Sequence, residues 1–177
     1  MLAANALTTA DQLVDVLGED PGEIVERLIN VASMRIERVT RRKLYQAEVT
    51  EAFDPKLKRL IVSRPPVTSV VTEDIELEDA DAGLLLVNGH IMLEGDKREV
   101  TYVGGFVTPQ QAVDDPELTV TLPADLEQAC VELARWLYTV RNADTTITSE
   151  RVGDIAYTYA HPGLPDHVQD MIVSYRL

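Results

Sequence analysis

The sequence predicts an α+β chain. Two N-terminal helices and one long C-terminal helix form a small helical bundle, an antiparallel β-sheet is inserted between them, and a short strand and helix end the chain. Three observations predict it. Apolar residues recur at helical spacing within 8–43 and again within 123–142. Between them, 44–106 changes period and breaks into short β-branched runs punctuated by prolines and glycines. The 177 residues, 45% apolar and 26% charged, suffice for one domain with a real core or for two small ones, and 1–177 is taken as a single domain.

Thr9 and Gln12 have capping-box spacing ahead of Leu13, Val14, Val16 and Leu17, and Gly18 stands where a glycine ends a short helix. Asp20, Pro21 and Glu23 then predict a second N-terminus, with an N-cap, a proline at the first helical position and an acid in the first turn. Val25, Leu28, Ile29, Ala32, Ile36 and Val39 form one buried stripe that carries this helix to about Arg42. Arg35, Arg38, Arg41 and Arg42 fill its last two turns, where cations favour the helix macrodipole.

Strands are expected at Ala47 to Phe53, Arg59 to Ser63, Val67 to Thr72, Leu84 to Val87, Ile91 to Leu93 and Glu99 to Val103. Asn88-Gly89 between LLLV and HIML is a hairpin signal, since both turn positions favour residues that tolerate positive φ. Gly104-Gly105 closes the block, and a loop with Pro109 and Pro116 follows. The long helix begins near Pro123 with Leu126, Ala129, Cys130, Leu133, Leu137 and Val140 on one face and Trp136 flanking it. A polar stretch, Thr145 to Glu150, precedes an alternating run from Val152 to Tyr159 that reads as a strand. The tail, 150–177, ends with Val168, Met171, Ile172 and Tyr175 at near-helical spacing, followed by Arg176.

Charge excludes more than it assigns. The net charge of −14 argues against gripping nucleic acid over the whole surface. Yet Arg35 to Arg64 holds nine basic and four acidic residues, a local balance of +5 that leaves −19 for the remainder. Solvation explains most charge runs, but this segregation also suits patch-to-patch packing between copies or against a partner, with Arg35, Arg38, Arg41 and Arg42 as the candidate basic patch. The densest acidic run is Glu73, Asp74, Glu76, Glu78, Asp79 and Asp81. It lacks the glycine and glutamate positions of a calcium loop and reads as an exposed hairpin tip, or as a surface that faces DNA without adhering to it.

No catalytic, cofactor or metal residues are assigned. His90, His161 and His167 have no zinc spacing, Ser149 and Ser174 lack a nucleophile elbow, and Gly104-Gly105 opens neither a P-loop nor a dinucleotide fingerprint. Cys130 falls on an apolar helix face, where cysteine acts as a small hydrophobe, and a single cysteine fits folding in a reducing cytoplasm. The N-terminus has no secretory pattern and no stretch approaches a membrane span, so no membrane partner is expected.

Five motifs in order carry a family resemblance: LINVASMRIERVTRRKL, RLIVSRPPVTSVV, VTYVGGF, LPADLEQACVELARWLY and SERVGDIAYTY. Their order, from about Thr8 to Tyr175, resembles the head-tail connector (adaptor, head completion) proteins of long-tailed double-stranded DNA bacteriophages. The resemblance implies a non-enzymatic virion protein at the head-tail interface, assembled in the host cytoplasm and without cofactors. It implies a ring of about a dozen copies beneath the portal that extends the DNA channel and offers a platform to the stopper or tail-completion protein. DNA would be a partner only in transit. By position, Val168, Met171, Ile172, Tyr175 and Arg176 become candidate portal contacts, and the acidic run a candidate channel-facing segment. A DNA-binding regulator using the basic second helix is the alternative. A hydrolase built on the acidic run has only the charge cluster behind it.

Overall fold

A computed structural model describes residues 1–54, 56–73, 75–87, 98–141, 149–152, 155–158 and 164–176. The elements in chain order are α1 (Ala10–Leu17), α2 (Ile24–Thr40), β1 (Ala47–Phe53), β2 (Arg59–Ile61), β3 (Val67–Val70), β4 (Ile75–Asp79), β5 (Leu84–Val87), β6 (Arg98–Gly104), α3 (Pro109–Asp114), α4 (Ala124–Val140), β7 (Ser149–Val152), β8 (Ile155–Thr158) and α5 (Asp166–Ile172). A 3₁₀ turn, Val173–Tyr175, follows α5. The α+β layout is the one expected.

The helices share one core. Leu13 of α1, the stripe Val25, Leu28, Ile29, Ala32 and Ile36 of α2, and Leu126, Ala129, Cys130 and Leu133 of α4 close on one another, with Val168 and Ile172 of α5 sealing the end. Trp136 packs half-buried at its margin. The α1 caps are those read from the sequence: Thr9 accepts from the Gln12 amide, and Gly18 takes φ +71°. The start of α2 differs. Gly22 adopts φ +72° and Asp20 accepts from its amide at 2.8 Å, so Asp20-Pro21-Gly22 is a turn and the helix begins three residues later than expected.

The exit of α2 is held by a carboxylate that the sequence did not single out. Arg41 turns into the left-handed region at φ 58°, and Glu37, 5% exposed, accepts from the Leu44 amide at 3.0 Å, Asn5 Nδ2 at 3.0 Å and Lys43 Nζ at 3.2 Å. One side chain thus ties the N-terminal segment to the point where the chain leaves the bundle.

The inserted block is two three-stranded antiparallel sheets, in the orders β1-β6-β3 and β2-β5-β4, whose inner faces share a second core of Leu60, Val62, Val67, Leu85, Val100 and Tyr102. Alternation places Val100 and Tyr102 of β6 inward and Glu99 outward. Both edges of β5 are taken by β2 and β4. The Asn88-Gly89 turn, His90 and the Ile91 to Leu93 run lie outside the described residues.

The bundle and the sheets meet at a tight joint. Phe106 donates its amide to the Leu44 carbonyl at 2.7 Å, Gln46 donates to Phe106 at 2.7 Å, and Gly105 donates to Pro66 at 2.9 Å. Gly105 sits at φ +95° against the Tyr45 carbonyl, and a side chain at Gly104 would run into the Arg64 carbonyl, so the glycine pair is what lets three backbones converge. The Arg64 guanidinium, 4.3 Å from the Tyr45 ring centroid, donates to the Tyr45 carbonyl at 2.7 Å.

Two further elements depart from expectation. The stretch read as a loop contains α3, a six-residue helix with a reciprocal capping box between Thr108 and Gln111. The run read as one strand from Val152 to Tyr159 is divided between β7, which ends at Val152, and β8, which begins at Ile155, paired antiparallel with Ser149 opposite Thr158.

Candidate assembly surface

The outward face of α2 is basic with an apolar centre. Arg27, Arg38 and the C-capping Arg41 are exposed, Arg35 and Val31 are half-buried, and Met34 is 58% exposed between them. Arg42 does not join this patch. It turns inward, donating to the Pro65 carbonyl at 2.9 Å and toward the Tyr175 carbonyl at 3.5 Å, and burial pushes its guanidinium pKa down. The candidate basic patch is therefore Arg35, Arg38 and Arg41, joined by Arg27. Arg27 escapes the sequence reading because it lies in the first turn, away from the arginine-rich end. Its i, i+7 spacing to Met34 is the signal that locates it.

Beside this face, Arg27, Asn30, Val31 and Met34 line an open hollow of about 370 Å³ under the N-terminal segment. Glu26, on the same side, is paired with the Met1 amino group.

Most of the acidic run forms strand β4 of a hairpin, and Asp81 lies in the turn that leads into β5. Ile75 is buried against the sheet core, while Glu73, Glu76, Glu78, Asp79 and Asp81 are exposed; Asp74 lies outside the described residues. Among the described residues β4 is the outer strand of its sheet, and charged side chains on an edge strand discourage pairing with other chains. Glu78 meets Arg59 of β2 at 3.5 Å across the sheet, an exposed pair of small energetic weight.

The C-terminal segment is part of the bundle. Val168 and Ile172, expected as portal contacts, are fully buried in its core, because the apolar stripe of α5 faces α4. Met171 and Tyr175 are half-buried against the same core, and Arg176 is exposed. The Tyr175 hydroxyl donates to both oxygens of Asp125, at 2.7 and 2.9 Å. Burial, together with that carboxylate, pushes the Tyr175 pKa up to about 12.

No group of three or more histidine, cysteine or acidic side chains is placed to hold a metal among the described residues, and no helix among them is long and apolar enough to cross a membrane. Cys130 is fully buried beside Ser33, 3.4 Å from its hydroxyl, and burial pushes its thiol up to about 12, far from a reactive thiolate. His161 and Ser149 have no described side-chain surroundings; Ser174 is exposed on the 3₁₀ turn.

No family model and no curated protein matches the chain. Solved structures match by fold. A chain from the neck of a native GTA particle computed with C12 symmetry superposes with a TM-score of 0.64 at 19% identity, covering 99% of this chain and 91% of that one. A chain from the neck of an empty GTA particle computed with C6 symmetry gives 0.64 at 18% identity, covering 99% and 93%. A chain from the virion of a native gene transfer agent particle gives 0.63 at 20%, covering 99% and 92%. The chain thus shares, over nearly its whole length, the fold of neck components of a gene transfer agent particle.

Proposed function

We propose that this chain is a structural neck protein of a phage-like particle: a head-tail connector that forms a ring beneath the portal, extends the DNA channel and presents a platform to a stopper or tail-completion protein. The observation that carries this reading is the near end-to-end fold likeness to neck components, 99% of this chain against 91% of its counterpart. The C12 and C6 symmetries in which those necks are computed support a cyclic arrangement of copies. The role is structural and uses no cofactor. Its place is the head-tail interface of the virion, after assembly in the host cytoplasm.

A net charge of −14 suits a channel wall through which DNA moves without sticking, while the basic face of α2 stays available to protein partners. The regulator alternative loses Arg42 to internal hydrogen bonds and has Met34 at the centre of its proposed DNA-reading face. Electron microscopy of the purified protein mixed with its cognate portal tests the reading. Rings stacked on the portal are expected, and a protein that remains monomeric with portal present overturns it.

A further inference from the structure

Resting on the ring reading, we propose that neighbouring copies join through α2 of one and α1 of the next. Met34 and the arginines Arg27, Arg35 and Arg38 would dock on Val16, Asp11 and Asp15. Both faces have the same plan with opposite sign. On α1, Asp11 and Asp15 are exposed one turn apart, and Val16 is 40% exposed beside them. On α2, Arg27 and Arg38 flank Met34, and the hollow beside them, lined by Arg27, Val31 and Met34 with Glu23 and Glu26 on its N-terminal side, is open to a small apolar side chain. An apolar centre rimmed by complementary charge is the anatomy of a specific protein contact.

The helices that carry these charges account for only part of them. The macrodipole favours Asp11 in the first turn of α1 and Arg38 in the last turn of α2. It does not favour Arg27, a cation in the first turn of α2. Asp11 and Asp15 are a like-charge i, i+4 pair, and Arg35 and Arg38 a like-charge i, i+3 pair, spacings that weaken a helix. Among the described residues no ion pair relieves Arg27, Arg35, Arg38, Asp11 or Asp15. Opposite charge from another copy would. A contact of α2 with α2 would bring like charges together, so the complementarity selects a head-to-tail contact, the type that propagates around a ring.

The test uses the full chain with portal and two exposed charge reversals, R27E/R38E and D11R/D15R, scored for rings by native mass spectrometry and negative-stain microscopy. Each alone is expected to lower the ring population by about tenfold or more at unchanged circular dichroism, and an equimolar mixture of the two variants, whose alternating copies meet with opposite charge at every contact, to regain rings with an even number of copies. Combining all four substitutions in one chain, which swaps the signs on both faces, is expected to restore rings. Rings undiminished in both variants would overturn this assignment of faces while leaving the ring reading standing. Wild-type protein that forms no ring with portal would overturn the ring reading itself. R27E/R38E that keeps its rings but loses salt-sensitive duplex binding would overturn the assignment and give the face to nucleic acid.

Discussion

Replacing Gly105 by alanine tests whether the joint between bundle and sheets is as constrained as its geometry implies. Two costs arise. An L-residue at φ +95° pays the left-handed penalty of about 1–2 kcal/mol. Its Cβ would also lie 2.7 Å from the Tyr45 carbonyl carbon and closer still to the oxygen, so the backbone of Tyr45 must move. That movement disturbs the Phe106 to Leu44 and Gln46 to Phe106 hydrogen bonds, both 2.7 Å long and each worth about 1 kcal/mol net. The expected loss is about 3–4 kcal/mol. Gly18→Ala supplies the control: its φ is +71° but nothing lies within 4 Å of an added Cβ, so only the conformational penalty of about 1 kcal/mol applies. With a urea slope near 2 kcal/mol/M, the midpoint should fall by about 1.5–2 M for Gly105→Ala and about 0.5 M for Gly18→Ala. Equal midpoint shifts in the two variants would refute the claim that close backbone approach, in addition to positive φ, requires glycine at the joint.

Glu37→Ala strands the Leu44 amide and Asn5, and should cost about 3 kcal/mol in urea unfolding, whereas Lys43→Ala, which removes only the exposed partner, should stay within about 0.5 kcal/mol. Cys130 should resist thiol reagents at pH 8 in the native protein and react at the rate of unfolding, because burial keeps its thiol protonated to about 12; rapid native labelling would contradict its placement. Tyr175→Phe loses the bond to Asp125 and should loosen the tail, read as faster amide exchange in α5. Since the Tyr175 pKa is raised in the folded state, its contribution is complete below about pH 10 and is lost as the pH rises through about 12. The stability gap between wild type and Tyr175→Phe should therefore narrow over that window.

Long amphipathic elements were legible in the sequence because a single stripe determines them: α2 and α4 need only their apolar spacing, and α1 its caps. What escaped depends on contacts distant in sequence. The acidic run reads as a loop until β5 is seen to occupy its neighbour position, since only Ile75 and Leu77 betray a strand between the acids. Val168 and Ile172 have the same spacing whether they face a partner or α4, and sequence spacing cannot distinguish the two surfaces. Arg42 and Arg38 look equivalent as text, yet the left-handed turn at Arg41 sends Arg42 toward Pro65. For α3, the signal was present as Thr108, Pro109 and Gln111, but the helix buries no residue that would add a stripe to it.

The hydrogen bond from Phe106 to Leu44 means that the sheet block leaves and re-enters the bundle at one point. To the helices, everything between those residues is a single closed excursion, and each doubling of a flexible excursion's length costs only about 0.6 kcal/mol in closure. The helical scaffold and the sheets can therefore change size independently. Insertions or deletions between Leu44 and Phe106 could alter the excursion alone, provided the glycine pair at the joint is kept.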